Sequence, residues 1–156
     1  MIDRGALWRG LTAGLVAAGA MSALRYGAHR ARLIERMVPQ ALHTEMSGVD
    51  ASTDAPAHQF AAELLHHAVG ATAAAIFAAV TPRQPHATHG VAFGLALWAV
   101  DAFALLPALR VVRVGGHVVD GAAHALYGSL VALVLSELAA QRRGTVARAF
   151  RLRRVG

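Results

Sequence analysis

Gly90-Val-Ala-Phe-Gly94-Leu-Ala-Leu-Trp98-Ala-Val-Asp101-Ala-Phe-Ala-Leu-Leu-Pro107-Ala-Leu109 is a run of twenty residues with a single charged side chain. At about 1.5 Å of rise per helical residue, it reaches across a hydrocarbon core of roughly 30 Å. Three further runs of similar length and character cover 6–26, 60–80 and 119–139. Four such runs make lipid the solvent. The fold class that follows is all-α: a polytopic membrane protein, with four transmembrane helices in one small bundle and a single domain over 1–156.

Composition agrees with this reading. The chain has 156 residues, is 56% hydrophobic and only 15% charged, and has a mean hydropathy of +0.45. A soluble domain carries roughly 25% charge. With no cysteine, a disulfide frame, a thiolate metal site and a thiol nucleophile are all excluded. The net charge is +6, and all fifteen basic residues are arginine, a pattern that reads as GC-rich codon usage. Beside four apolar spans, such charge points to anionic lipid headgroups, and nucleic acid is not expected. Arg4, Arg9 and the small residues up to Ala20 imitate a signal peptide. The apolar run continues through Ala23 and Leu24, which predicts an uncleaved first helix.

Small residues pattern the spans. Gly10 and Gly14 sit four apart in the first run, as Gly90 and Gly94 do in the third. In lipid, apolarity alone does not drive helices together, and such faces let backbones approach closely. They serve either as general packing faces or as the seam of a homo-oligomer. Gly10 and Gly14 align without gaps with Gly90 and Gly94, and Arg30 then falls on Arg110. His66 and Gly70 likewise align with His124 and Gly128. This predicts two helical hairpins related by a parallel pseudo-twofold.

The polar segment 27–57 divides in two. Ala31, Leu33, Ile34, Met37 and Val38 form an apolar face opposite Arg30, Arg32, Glu35 and Arg36, which predicts a short helix at headgroup level interrupted by Pro39. Residues 47–56 predict a loop whose Ser, Thr and Asp cap the next helix. The tail, 141–156, carries Arg142, Arg143, Arg148, Arg151, Arg153 and Arg154. It reads as a stop-transfer anchor against lipid headgroups, with RNA or a protein partner as the other uses of such charge.

Four spans put both termini on one side. That side counts nine arginines, including the six of the tail; the other holds six, at 25, 30, 32, 36, 110 and 113. The positive-inside rule then predicts cytoplasmic termini in a bacterial inner membrane, although the comparison across the first helix alone points the other way.

Ionisable residues inside the spans form stripes. Glu63, His66, His67 and Gly70 share one face of the second helix, and His117, Asp120, His124 and Gly128 share one face of the fourth. Both helices run in the same direction, so both stripes lie toward one membrane surface. Asp101 falls near the middle of the third run. A charge there costs a few kcal/mol, so Asp101 must face the bundle interior, be protonated or pair with a histidine. Four uses of Glu63, His66, His67, Asp101, Asp120 and His124 stand side by side. They are structural hydrogen bonding, a proton or ion path, a metal site begun by Glu63-x-x-His66, and a b-type haem held by His66 or His67 together with His124. The metal set is incomplete, since a bundle di-iron site needs a second Glu-x-x-His and two more Glu, so no cofactor is expected. No phosphate-binding loop ending in lysine and no Gly-x-Ser-x-Gly elbow is present, so no catalytic residue is named.

Arg9-Gly-Leu-Thr-Ala-Gly-Leu-Val-Ala-Ala-Gly-Ala-Met21 followed by Arg25 resembles the first helix of the YagU-like bacterial membrane proteins. The third helix, with Trp98 and Pro107, and His124-Ala-Leu-Tyr-Gly128 are similar too. The resemblance implies a compact polytopic inner-membrane protein and carries no reaction. The expectation is a structural or accessory membrane protein that self-associates through its glycine faces. The alternative is a protein that handles protons or ions through Asp101, His66, His67 and His124.

Overall fold

The computed structural model describes residues 3–34, 38–48, 56–81, 84–109 and 116–152. Among the described residues, four helices are long and apolar enough to cross a membrane. They are α1 (Arg4–Arg30), α3 (Pro56–Val80), α4 (Ala87–Ala108) and α5, whose apolar part is His117–Arg143. A short helix, α2 (Val38–Ser47), lies between the first two, and no strand occurs among the described residues.

Each span starts two to four residues before its sequence-predicted bound, because helices continue into polar flanks that window hydropathy leaves out, while α3 ends at Val80 as predicted and α4 at Ala108. At its start α1 is capped by Asp3, whose carboxylate accepts the Gly5 N–H at 2.8 Å. At the other end α5 continues to Leu152, so the first part of the arginine tail is helical. Arg142 and Arg143 are exposed. The backbone of Arg148 and Arg151 belongs to the helix, while Arg153 and Arg154 lie outside the described residues.

Two local expectations are corrected. The helix predicted over 31–38 is absent at 31–34, where the chain turns, with Arg32 in the left-handed region at φ 59°. The helix forms later, over Val38–Ser47. Pro39 therefore lies within the helix Val38–Ser47, in the first turn described, rather than interrupting it. Glu35, Arg36 and Met37, and the predicted capping residues of 51–55, lie outside the described residues. The third span is not uniform either. It passes from α-helix into a π-helical turn, Asp101–Leu105, and back to α-helix over Leu106–Ala108. Pro107 lacks an N–H, and its ring crowds the carbonyl four residues earlier, which a wider turn relieves.

The packing inverts that of a soluble bundle. Large apolar side chains such as Trp8, Val16, Phe60, Leu64, Ile76, Val100, Phe103 and Leu133 point outward. Ala13, Ala17, Ala18, Ala74, Ala123 and Ala132 have no exposed surface, and Val131 is the largest side chain buried as completely. Core glycines make this possible. A Cβ on Gly10 would lie 2.7 Å from the Ala74 carbonyl oxygen, and one on Gly14 would lie 2.7 Å from that of Gly70. Gly90 and Gly94 meet the Gly128 and His124 carbonyls in the same way. The glycine faces expected to pack helices, or to join copies, are thus filled from within the chain. α1 packs on α3 and on α5, and α4 packs on α5.

The hairpin pairs α1/α3 and α4/α5 repeat this design with a shift of one turn. Gly14 meets the Gly70 carbonyl, whereas Gly94 meets the His124 carbonyl, one turn before Gly128, whose carbonyl meets Gly90 instead. The twofold is further broken because α1 reaches α5 more extensively than α3 reaches α4. α3 and α4 meet through side chains, with Phe77 stacked on Phe93 at 4.4 Å between ring centroids.

Candidate functional site

Four helices bring polar side chains to one end of the bundle. This end, the far face, is where α1 finishes, α3 begins, α4 finishes and α5 begins. Asp101, Glu63 and His124 each lie seven residues from the far-face end of their helix, about 11 Å along the axis. Arg25 and Asp120 lie nearer the end.

α1 is the hub. Arg25 Nη2 sits 3.2 Å from Asp120 Oδ1 on α5, and both residues are buried, at 3% and 4% exposure. One turn earlier, Ser22 Oγ donates to Glu63 Oε2 on α3 at 2.7 Å. Two acids on different helices are therefore tied to two neighbouring turns of α1. Each acid also stands four residues before a histidine that bonds back to it. His67 Nδ1 donates to the Glu63 carbonyl and His124 Nδ1 donates to the Asp120 carbonyl, both at 2.8 Å. By role, then, His124 corresponds to His67, one residue beyond the His66 that the glycine alignment assigns to it.

His124 reaches a fourth helix. Its Nε2 lies 3.1 Å from Asp101 Oδ2 on α4, where the π-turn begins. A carbonyl only accepts, so Nδ1 carries a proton, and one proton fits between Nε2 and the carboxylate. It resides either on the ring, giving imidazolium and carboxylate, or on Asp101, giving two neutral groups. His124 is 5% exposed, while the Asp101 side chain is 36% exposed.

His66 completes the group. Arg25, His67, His124 and Asp101 are all near enough to act on it electrostatically. Its Nε2 is buried without a hydrogen-bond partner, as is Trp98 Nε1, one turn before Asp101. The His66 and His67 rings meet edge to face at 5.7 Å.

All six residues of the sequence-predicted cluster thus gather at one end of the bundle, in linked sets rather than one chelating shell. Among the described residues, no three His, Asp or Glu side chains converge as metal ligands. Both ring nitrogens of His124 are engaged within the protein. Sequence reasoning missed Arg25, which it counted among loop arginines, and Ser22. The available signal was periodicity, because Gly10, Gly14, Ala17, Met21, Arg25 and Ala28 lie along the one buried face of α1.

Beyond the cluster toward the other membrane face, the interior is apolar. Ala13, Ala17, Ala74, Phe77, Val131 and Leu135 form a continuous core. Tyr127 belongs to the same core and turns its hydroxyl to the Gly70 carbonyl. The cluster is therefore one-sided and no polar track crosses the described bundle.

Comparison with protein-family models, with curated proteins and with solved structures finds no match to this chain.

Proposed function

We propose that this chain is a small multi-pass membrane protein that takes up and releases a proton at its far face through Asp101 and His124. One observation carries the reading. His124 is pinned by Nδ1 to the Asp120 carbonyl, which leaves its Nε2 to share a single proton with Asp101. Intramembrane acid–histidine pairs are the elements of proton relays. The His66 ring, whose buried Nε2 has no hydrogen-bond partner, stands near the same pair. The apolar core beyond the cluster favours proton binding from one side over open conduction.

The test is the infrared carboxyl spectrum of the purified protein, titrated from about pH 8 to about pH 4, a range spanning ordinary His and carboxylate titration. Asp101→Asn keeps a hydrogen bond to Nε2 but loses the acid. It is expected to lose an infrared carboxyl band that changes with pH in the wild type. A wild-type carboxyl spectrum that does not change with pH, or one that is the same in Asp101→Asn, overturns the reading.

The structural or accessory role is the second reading, favoured by the buried Arg25–Asp120 bridge. On either reading we place the protein in a bacterial inner membrane with cytoplasmic termini and the tail arginines against anionic headgroups. The likeness to YagU-like proteins supports that location and supplies no reaction. Self-association, if it occurs, has to use lipid-facing side chains, because the glycine faces are occupied within the chain.

A further inference from the structure

A second titratable pair lies outside the cluster, where α2 packs on α3. His43 Nδ1 and His58 Nδ1 face each other at 2.9 Å, and their rings meet edge to face at 4.5 Å. His58 is 7% exposed. Thr44 Oγ1 lies 3.2 Å from His58 Nε2 and, as a hydroxyl, can either donate or accept, so it suits either tautomer.

Two imidazole nitrogens at this distance are joined by one N–H. One ring donates and the other accepts. When both rings are protonated, two N–H groups point at each other and two positive charges face across the contact. The docked arrangement therefore holds one proton where two separated rings hold two at low pH. By linkage, docking weakens as pH falls.

We propose that His43 and His58 form a pH-sensitive latch that holds α2 against the start of α3 while they share one proton and releases it when both are charged. The other titratable groups of these two helices are Glu45, exposed on α2, and Glu63, His66 and His67, deeper along α3. Glu63 is engaged by Ser22 and neither glutamate bonds to the pair. At the same face α1 ends on His29 and Arg30, with His29 Nδ1 bonded to the Ile34 carbonyl, and α5 begins at His117. The latch shares no residue with the Asp101–His124 pair, so the failure of either proposal leaves the other standing.

The natural chain has no cysteine, so spin labels attach only where cysteine is introduced. Met46→Cys on α2 and Leu64→Cys on α3 are both at exposed positions. Distances between these labels are measured on the full chain in zwitterionic phosphatidylcholine vesicles at about pH 8 and about pH 5, either side of the range in which imidazoles titrate. The expected result is a narrow distribution at the higher pH that broadens and lengthens at the lower. His43→Asn should stay narrow at both, because a single imidazolium can donate to the amide oxygen. An unchanged distribution in the otherwise wild-type chain overturns the latch, as does broadening of His43→Asn equal to it. Should His43→Asn fail to dock at either pH, His58→Asn carries the same comparison.

Discussion

Arg25 shows how much one residue depends on its neighbours. An arginine near a helix end ordinarily extends to the headgroups, which is why its position in the chain assigns it to the surface. Here the face it shares with Gly14, Met21 and Ala28 turns inward, and Asp120 meets it there. Removing one partner of a buried pair leaves an uncompensated charge, at a cost of about 3–5 kcal/mol. Arg25→Met and Asp120→Leu should each destabilise the bundle by that order. The double variant should recover most of the loss, since apolar residues of similar size often replace a buried ion pair without penalty. Unfolding in mixed micelles, read by loss of helicity, measures all three. Recovery would assign the bridge a permissive role. Continued loss in the double variant would mean that the cluster needs the charges themselves. Asp101 was legible in the sequence as a residue needing a partner, because an acid in lipid must find one. Which histidine answers it was not, because His66, His67 and His124 are equivalent in composition and differ only in where their rings reach.

At the scale of the helices, close backbone approach is what holds the pairs. A Cβ at Gly94 would collide with the His124 carbonyl, a backbone atom that cannot swing aside. At Gly27 it would meet nothing within 4 Å. Overpacking of this kind costs roughly 1–3 kcal/mol or more, whereas Gly→Ala in an open helical position gains up to about 1 kcal/mol. Gly94→Ala should therefore loosen α4 from α5 and lower the unfolding midpoint, while Gly27→Ala should leave the midpoint unchanged or raise it. An equal effect of the two would contradict the packing described. Because Gly94 lies over His124, the damaging substitution should also disturb the Asp101–His124 bond. The small-residue pattern was readable as a packing signal. The partner of each face was not readable, since Gly-x-x-x-Gly specifies closeness without naming what comes close. The same limit applies to α2: Pro39 read as an interruption, whereas it lies within the helix Val38–Ser47, after the turn at 31–33.

Across the whole molecule, polarity is distributed unevenly. The far face carries the ion pairs and histidines, and the interior toward the other face is alanine, valine and aromatic rings. With Arg25 buried in the bundle, the arginine comparison between the two sides becomes nine against five, which strengthens the case for cytoplasmic termini. A reporter active only in the cytoplasm, fused at the C-terminus, should therefore be active, and one active only outside should be silent. The reverse pattern would put the polar cluster on the cytoplasmic side. The sequence by itself determined that lipid is the solvent, that four helices are long enough to cross it, and that intramembrane acids and histidines gather toward one side. Those follow from hydropathy, length and helical period, which are properties of each segment alone. Only the tertiary structure decided that α1 supplies the central arginine, that the glycine faces close upon the chain itself, and that Asp101 meets His124. These are matters of which helix lies beside which, and in a bundle of alanine and glycine many pairings satisfy the same pattern until backbone contact selects one.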